Sequence, residues 1–171
     1  MFKIEKATSK DALILSIVGK TAFLEAHGHS APKNDIDNYV INNFNEENFK
    51  KELENATNLY HTIYFNDTIA GYSKIVLNAT NDNISSKNST NLSRLYLLKE
   101  FYGFNLGKEL FDFNIHISKE NNQKGMWLFV WVENFRAIRF YEKMGFVKVG
   151  KFDFKISETH YNPNHIMYLE F

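Results

Sequence analysis

The chain of 171 residues contains no cysteine, which removes disulfides, thiolate nucleophiles and cysteine-ligated zinc from consideration. Net charge is also missing: 20 Lys and Arg balance 20 Asp and Glu, with no basic stripe, so the sequence does not read as a binder of nucleic acid. No apolar run is long enough to cross a bilayer, and the opening "MFKIEKATSKDA" lacks the hydrophobic stretch of a secretion signal. The expectation is a cytoplasmic protein with no membrane partner and no metal. With only 2 prolines, no repeat and no linker of domain-boundary length, residues 1–171 are expected to form a single domain. That length is enough to bury a core without staples.

Hydrophobic periodicity supplies the elements. Residues 2–7 alternate as a strand, and Asp11 is placed to cap a helix carrying Leu13, Ile14, Ile17, Val18 and Ala22 at helical spacing. After the loop 27–34, residues 35–44 and 45–56 read as two helices or one broken helix. Strands at 60–65 and 69–77 flank an Asn66-Asp67 turn, and a polar loop covers 78–91. A strand follows at 92–98, then a helix with its stripe on Leu106, Leu110, Phe113 and Ile117. "MWLFVWV" (126–132) shows no alternation, as expected of a strand covered on both faces. A helix over 134–144 and strands at 146–156 and 165–171 close the chain. Hairpins together with helical crossovers predict a mixed sheet in an α/β (α+β) fold.

Two short stretches ask for more than packing. In "KEFYGFNLGKEL", Gly103, Asn105 and Gly107 lie two apart between a strand and a helix. Gly takes positive φ without cost and Asn is the most tolerant non-Gly residue there, so such a turn can aim N–H groups inward beside the positive helix end. That arrangement binds an anion such as a pyrophosphate, with Lys108 at the rim. The spacing fits neither a dinucleotide fingerprint nor a Walker loop. A turn between strand and helix also uses glycine for steric reasons alone. The second stretch, "NFRAIRFYEKMGF" (134–146), puts Asn134, Ala137, Ile138 and Tyr141 on one helix face, leaving two polar tips and one gap.

Together the stretches resemble the GCN5-related N-acetyltransferase (GNAT) superfamily. "VWVENFRAIRFYEKMGF" is similar to its N-x-x-A-x-x-F-Y-x-x-x-G-F segment, matched at every named position. "LSRLYLLKEFYGFNLGKEL" resembles its [QR]-x-x-G-x-[GA] turn, with Tyr102 in place of Gln/Arg and Asn105 in place of the middle Gly. The wording of both is closest to bacterial spermidine/spermine-type enzymes. The resemblance implies the order strand, two helices, three strands, helix, strand, helix, two strands, in a mostly antiparallel twisted sheet with the fourth and fifth strands splayed. It implies acetyl-CoA as cosubstrate. Main-chain groups of Leu95, Tyr96 and Leu97 would pair with its pantetheine arm, and Tyr102, Gly103, Phe104, Asn105, Leu106, Gly107 and Lys108 would hold its pyrophosphate. Asn134 would bond the arm, Ala137 would leave it room, and Lys143 would lie at the coenzyme. Tyr141 would be the general acid, since a phenol with an ordinary pKa of about 10 keeps its proton at pH 7. A half-buried tyrosine bonded to backbone is the competing reading.

The acceptor side is less defined. His27, His29 and Tyr39 fall on the segment that contacts the acceptor in the family, and the two histidines are candidates for the base, alongside surface residues of a loop. Asp35, Asp37, Glu46 and Glu47 would suit a polyamine if they wall the pocket, and are otherwise solvated acids at helix starts. The expected function is therefore acetylation of a small-molecule primary amine, possible choices including a polyamine. The alternatives are a protein N-terminus, an antibiotic amine, or a CoA-binding sensor with weak turnover. Relatives are often dimers, so a homodimer is a further expectation.

Overall fold

The computed structural model describes all 171 residues. Seven strands form one sheet in the order β1-β2-β3-β4-β5-β7-β6. They are β1 (Phe2–Lys6), β2 (Asn58–Phe65), β3 (Thr68–Val76), β4 (Ser89–Leu97), β5 (Gly125–Trp131), β6 (Val147–Lys155) and β7 (Tyr161–Glu170). Five helices flank them: α1 (Ala12–His27), α2 (Lys33–Asn43), α3 (Glu46–Glu54), α4 (Leu106–Glu120) and α5 (Phe135–Lys143). The expected mixed, mostly antiparallel sheet is present, and the residues after the α1–α2 loop form two helices rather than one. No helix is long and apolar enough to cross a membrane.

The β2–β3 hairpin turns on Asn66 (φ 47°) and Asp67 (φ 62°), the positive-φ pair that a two-residue hairpin requires. At Gly71 a Cβ would lie 2.0 Å from the Tyr96 carbonyl oxygen, so only glycine allows β3 to approach β4 here. β4 runs parallel to β5 for three residue pairs only, Ser89↔Gly125 to Asn91↔Trp127. Beyond Asn91 it bulges: Lys74 faces Arg94 and Ile75 faces Leu92, leaving Ser93 extra. A bulge bends the strand, and from here β4 follows β3 while β5 follows β7. The sheet is therefore split, and the edge of β4 from Leu92 to Leu97 has no strand partner.

One layer of core, between the sheet and α1–α3, is built on Leu15, Val18, Phe23, Phe49, Tyr60 and Tyr72. On the opposite face α4 packs Leu106 and Leu110 against Ile63 and Ala70. Three expectations need correction. Leu13, Ile14 and Ile17 are 53, 37 and 52 % exposed, while Leu15, Val18 and Ala22 face the core. Because α1 is apolar nearly all round, its period could not tell one face from the other. Asp11 does not cap α1: its carboxylate accepts from the Thr8 N–H at 2.7 Å and closes a short 3₁₀ turn. The last strand begins at Tyr161 rather than at residue 165, and takes in Pro163. Tyr161–Pro163 pair with β6 alone, with Asp153 opposite Pro163.

Candidate active site

The split in the sheet opens into a cleft of about 830 Å³. One wall is the free edge of β4, lined by Leu95, Tyr96 and Leu97. The other is the end of β5 and the first turns of α5, which contribute Trp131, Asn134, Ala137 and Tyr141. Asn134 sits at the N-cap of α5, where its side-chain oxygen accepts from the Ala137 N–H at 3.2 Å. That oxygen is thus occupied by the helix it starts, and the side-chain amide donors remain for a ligand. Tyr141 lies two helical turns further on, packed edge-on against Phe140 and Phe146 at 5.3 and 5.4 Å between ring centres.

At the far end of β4 a second cavity of about 250 Å³ is lined by Tyr102, Gly103, Asn105, Leu106, Gly107 and Lys108. Gly103 has φ 90° and Asn105 φ 64°, both in the left-handed region. These two values turn the chain into α4, whose first N–H groups have no intrahelical partner. The Asn105 side chain donates to Glu109 at 3.2 Å, which fixes the turn from within. Asn therefore replaces the family's middle glycine without loss of the conformation. Lys108 pairs with Asp112 one turn along α4, so it is not the free rim cation that the sequence suggested.

A residue outside the sequence reading takes that place. Arg136, on the first turn of α5, lays its guanidinium 3.4 Å from the centre of the Tyr102 ring and lines both cavities. A guanidinium stacked on an aromatic face keeps its N–H fork in plane and open for a phosphate. Tyr102, which removed a donor from the turn, thus carries a donor supplied by another helix.

The remaining candidates fall as follows. His27, His29 and Tyr39 line the cleft. His27 and His29 both lie against the Trp131 ring, at 5.8 and 5.3 Å. Burial, and secondarily His29, push the His27 pKa down to about 4, so this imidazole is neutral. Phe104 faces away, 52 % exposed with its ring 4.9 Å from that of Phe65. Lys143 is exposed at the last residue of α5 and lines neither cavity. Asp35, Asp37, Glu46 and Glu47 are also outside the cleft: Asp37 holds Lys33 and Glu47 holds Lys51, each one helical turn away. Of the two readings of these acids, the solvated helix start is the one realised. Lys74 and Arg94, which the sequence did not mark, do line the cleft.

The Tyr141 hydroxyl makes no hydrogen bond to another residue, and burial, then Tyr96, raise its pKa above that of an ordinary phenol. A free strand edge, a helix start with open N–H groups and a buried phenol thus border one connected region of the surface. The acetyltransferase (GNAT) family model matches residues 23–146, and the chain belongs to that family. An uncharacterized N-acetyltransferase in the pepI 3′ region of Lactobacillus delbrueckii subsp. lactis is 24 % identical over 156 residues, 91 % of this chain and 90 % of the relative. The PaiA N-acetyltransferase of Thermoplasma acidophilum, crystallised with coenzyme A, shares the fold at a TM-score of 0.79 with 20 % identity, over 100 % of this chain and 99 % of that one. The YncA acetyltransferase of Salmonella typhimurium, solved with acetyl-CoA, gives 0.68 with 14 % identity, over 99 and 94 %.

Proposed function

We propose that residues 1–171 form one acetyltransferase domain that moves the acetyl group of acetyl-CoA directly to a small-molecule primary amine, with Tyr141 as general acid. The observation that carries this is Tyr141 itself: an unengaged, protonated hydroxyl in the gap opposite the unpaired edge of β4. The thioester supplies an acetyl carbon open to attack and a thiolate as leaving group. The chain's part is to align, polarise and move protons.

Leu95, Tyr96 and Leu97 present main-chain donors and acceptors that a pantetheine arm can complete as a strand would, and the small Ala137 leaves its path open. Asn134 offers amide donors to the same arm. The turn 102–108 and Arg136 receive the pyrophosphate. A main-chain N–H of β4 stabilises the negative charge that develops on the acetyl oxygen. Tyr141 gives its proton to the departing sulfur and regains one from the newly acylated nitrogen. Burial disfavours the phenolate, so this return is strongly downhill and the acid is reset in each turnover. His27 stands in the cleft wall as a neutral imidazole, and the incoming ammonium loses its proton to water before attack.

The test is release of free CoA from acetyl-CoA across a panel of amines, beside Tyr141→Phe. Release with one class of amine, lost in the variant, upholds both reaction and acid. Acetyl-CoA failing to raise the melting temperature overturns the coenzyme assignment.

A further inference from the structure

The acceptor half of the cleft is floored by charge. Lys74 on β3 and Arg94 on β4 are directly opposite in the ladder, both side chains only 15 and 16 % exposed, and both face the cleft. Like charges placed opposite one another repel. A single carboxylate, Glu52 of α3, answers them: it lies 2.7 Å from the Lys74 Nζ and 3.6 Å from the Arg94 Nη2, and also accepts the Tyr60 hydroxyl. Burial would raise the Glu52 pKa, but Arg94, Lys74 and Tyr60 together bring it below the usual range, so it is ionised. Two cations against one anion leave an excess positive charge where water is scarce.

The donors of that charge are fixed and partly unspent. The Arg94 guanidinium sits 5.4 and 5.3 Å from the Phe44 and Phe49 ring centres and donates to the Tyr60 hydroxyl at 2.9 Å. Lys74 has three N–H donors and gives one to Glu52. The neighbouring phenols do not supply the missing anion, since burial raises the pKa of Tyr39, Tyr60, Tyr72 and Tyr96. The carboxylates that line the cleft, Glu25 and Glu133, are exposed, and Glu25 is already engaged by the Lys99 N–H. The interior thus has no free carboxylate for the second ammonium of a polyamine, and it has an excess cation.

We propose that Lys74 and Arg94 bind an anionic group of the acceptor, so that the substrate is a small amine that also carries a carboxylate, of amino-acid type. The inference rests on the acetyltransferase reading and specifies its acceptor. The carboxylate supplies the negative charge that Glu52 supplies only once, and the amine is directed from the β3–β4 floor toward the gap beside Tyr141.

The experiment compares amines matched in length: 4-aminobutyrate, its amide and putrescine, together with free amino acids and their amides. Each is read by CoA release and by calorimetric titration of the CoA-bound enzyme. The expected result is acetylation or binding of a carboxylate-bearing member at least tenfold better than of its amide, with putrescine worse than both. Lys74→Gln is expected to raise KM for the acid about tenfold with little change in kcat and none for the amide, with Lys74→Arg restoring it. Glu52→Gln, which removes the competing anion, is expected to lower that KM. A substitution that only damaged the fold would not split the two variants in opposite directions. Equal treatment of acid and amide, a preference for putrescine, or loss of acid binding in both variants overturns the proposal. Failure of acetyl-CoA to bind sinks the acetyltransferase reading instead, while titration of the free enzyme with the same acids still decides the anion floor.

Discussion

The two halves of the cleft are built by different means. The half proposed for the coenzyme consists mostly of main chain: the unpaired edge of β4, the positive-φ turn at Gly103 and Asn105, the N-terminus of α4 and the gap at Ala137. The half proposed for the acceptor consists of side chains carried by separate elements: His27 on α1, Tyr39 on α2, Lys74 on β3, Arg94 on β4, and Asn162 and Asn164 on β7. Main-chain recognition constrains which residues allow a conformation, so it leaves a short motif. Side-chain recognition needs only that distant residues meet, and leaves none.

If that division is right, the largest effect comes where the halves meet. Tyr141→Phe should lower kcat about a hundredfold or more, in the usual range for loss of a general acid, with little change in KM for acetyl-CoA. A rise in KM alone would make Tyr141 a binding residue and move it into the coenzyme half. Next is the turn. Asn105→Val puts a β-branched residue at φ 64°, a cost of about 1–2 kcal/mol by denaturant unfolding, and should raise KM for acetyl-CoA, while Asn105→Gly should leave both near wild type. If valine left coenzyme binding unchanged, the turn would not be a phosphate site.

A smaller effect is expected from Arg136→Ala, whose one charge-assisted contact at an exposed site should be worth about 1 kcal/mol, or roughly fivefold in KM for acetyl-CoA. The penalty should shrink in high salt, and KM for the amine should not move. A change on the amine side would break the division between halves. A separate effect, on stability rather than on either half, concerns pH. His27, in the cleft, and His61, buried under α4 with its ring 4.9 Å from Phe113, both have pKa values pushed down to about 4, chiefly by burial. Both are neutral in the fold, whereas the unfolded chain takes up protons near pH 6.5. The unfolded state therefore binds more protons between pH 6.5 and 4. Stability should be at its full level above that window and decline as pH falls through it. Denaturant unfolding at pH 7.5 and 5 checks this, and His61→Phe should flatten the slope.

Much of the coenzyme half was legible because its requirements are local. Glycine or asparagine at set intervals before a helix, and Asn, Ala and Tyr on one face of another, are read without knowing what lies opposite. The unalternating 126–132 stretch also announced a strand buried on both faces, as β5 is. Where the same logic was applied without a local constraint it failed. Of the stripe assigned to α1, Val18 and Ala22 face the core but Leu13, Ile14 and Ile17 face solvent, because α1 has no polar face to orient it.

Sequence alone therefore determined the family, the element order, the positive-φ turn before α4 and the helix face that carries Tyr141 into the cleft, because each rests on backbone conformation or helical spacing within a dozen residues. The tertiary structure decided where the sheet opens, that Arg136 stands over Tyr102, and that Lys74 and Arg94 share one carboxylate, Glu52. Those are facts of long-range packing and charge. No periodicity records them, because the residues that meet are separated by up to dozens of positions and chosen by the fold.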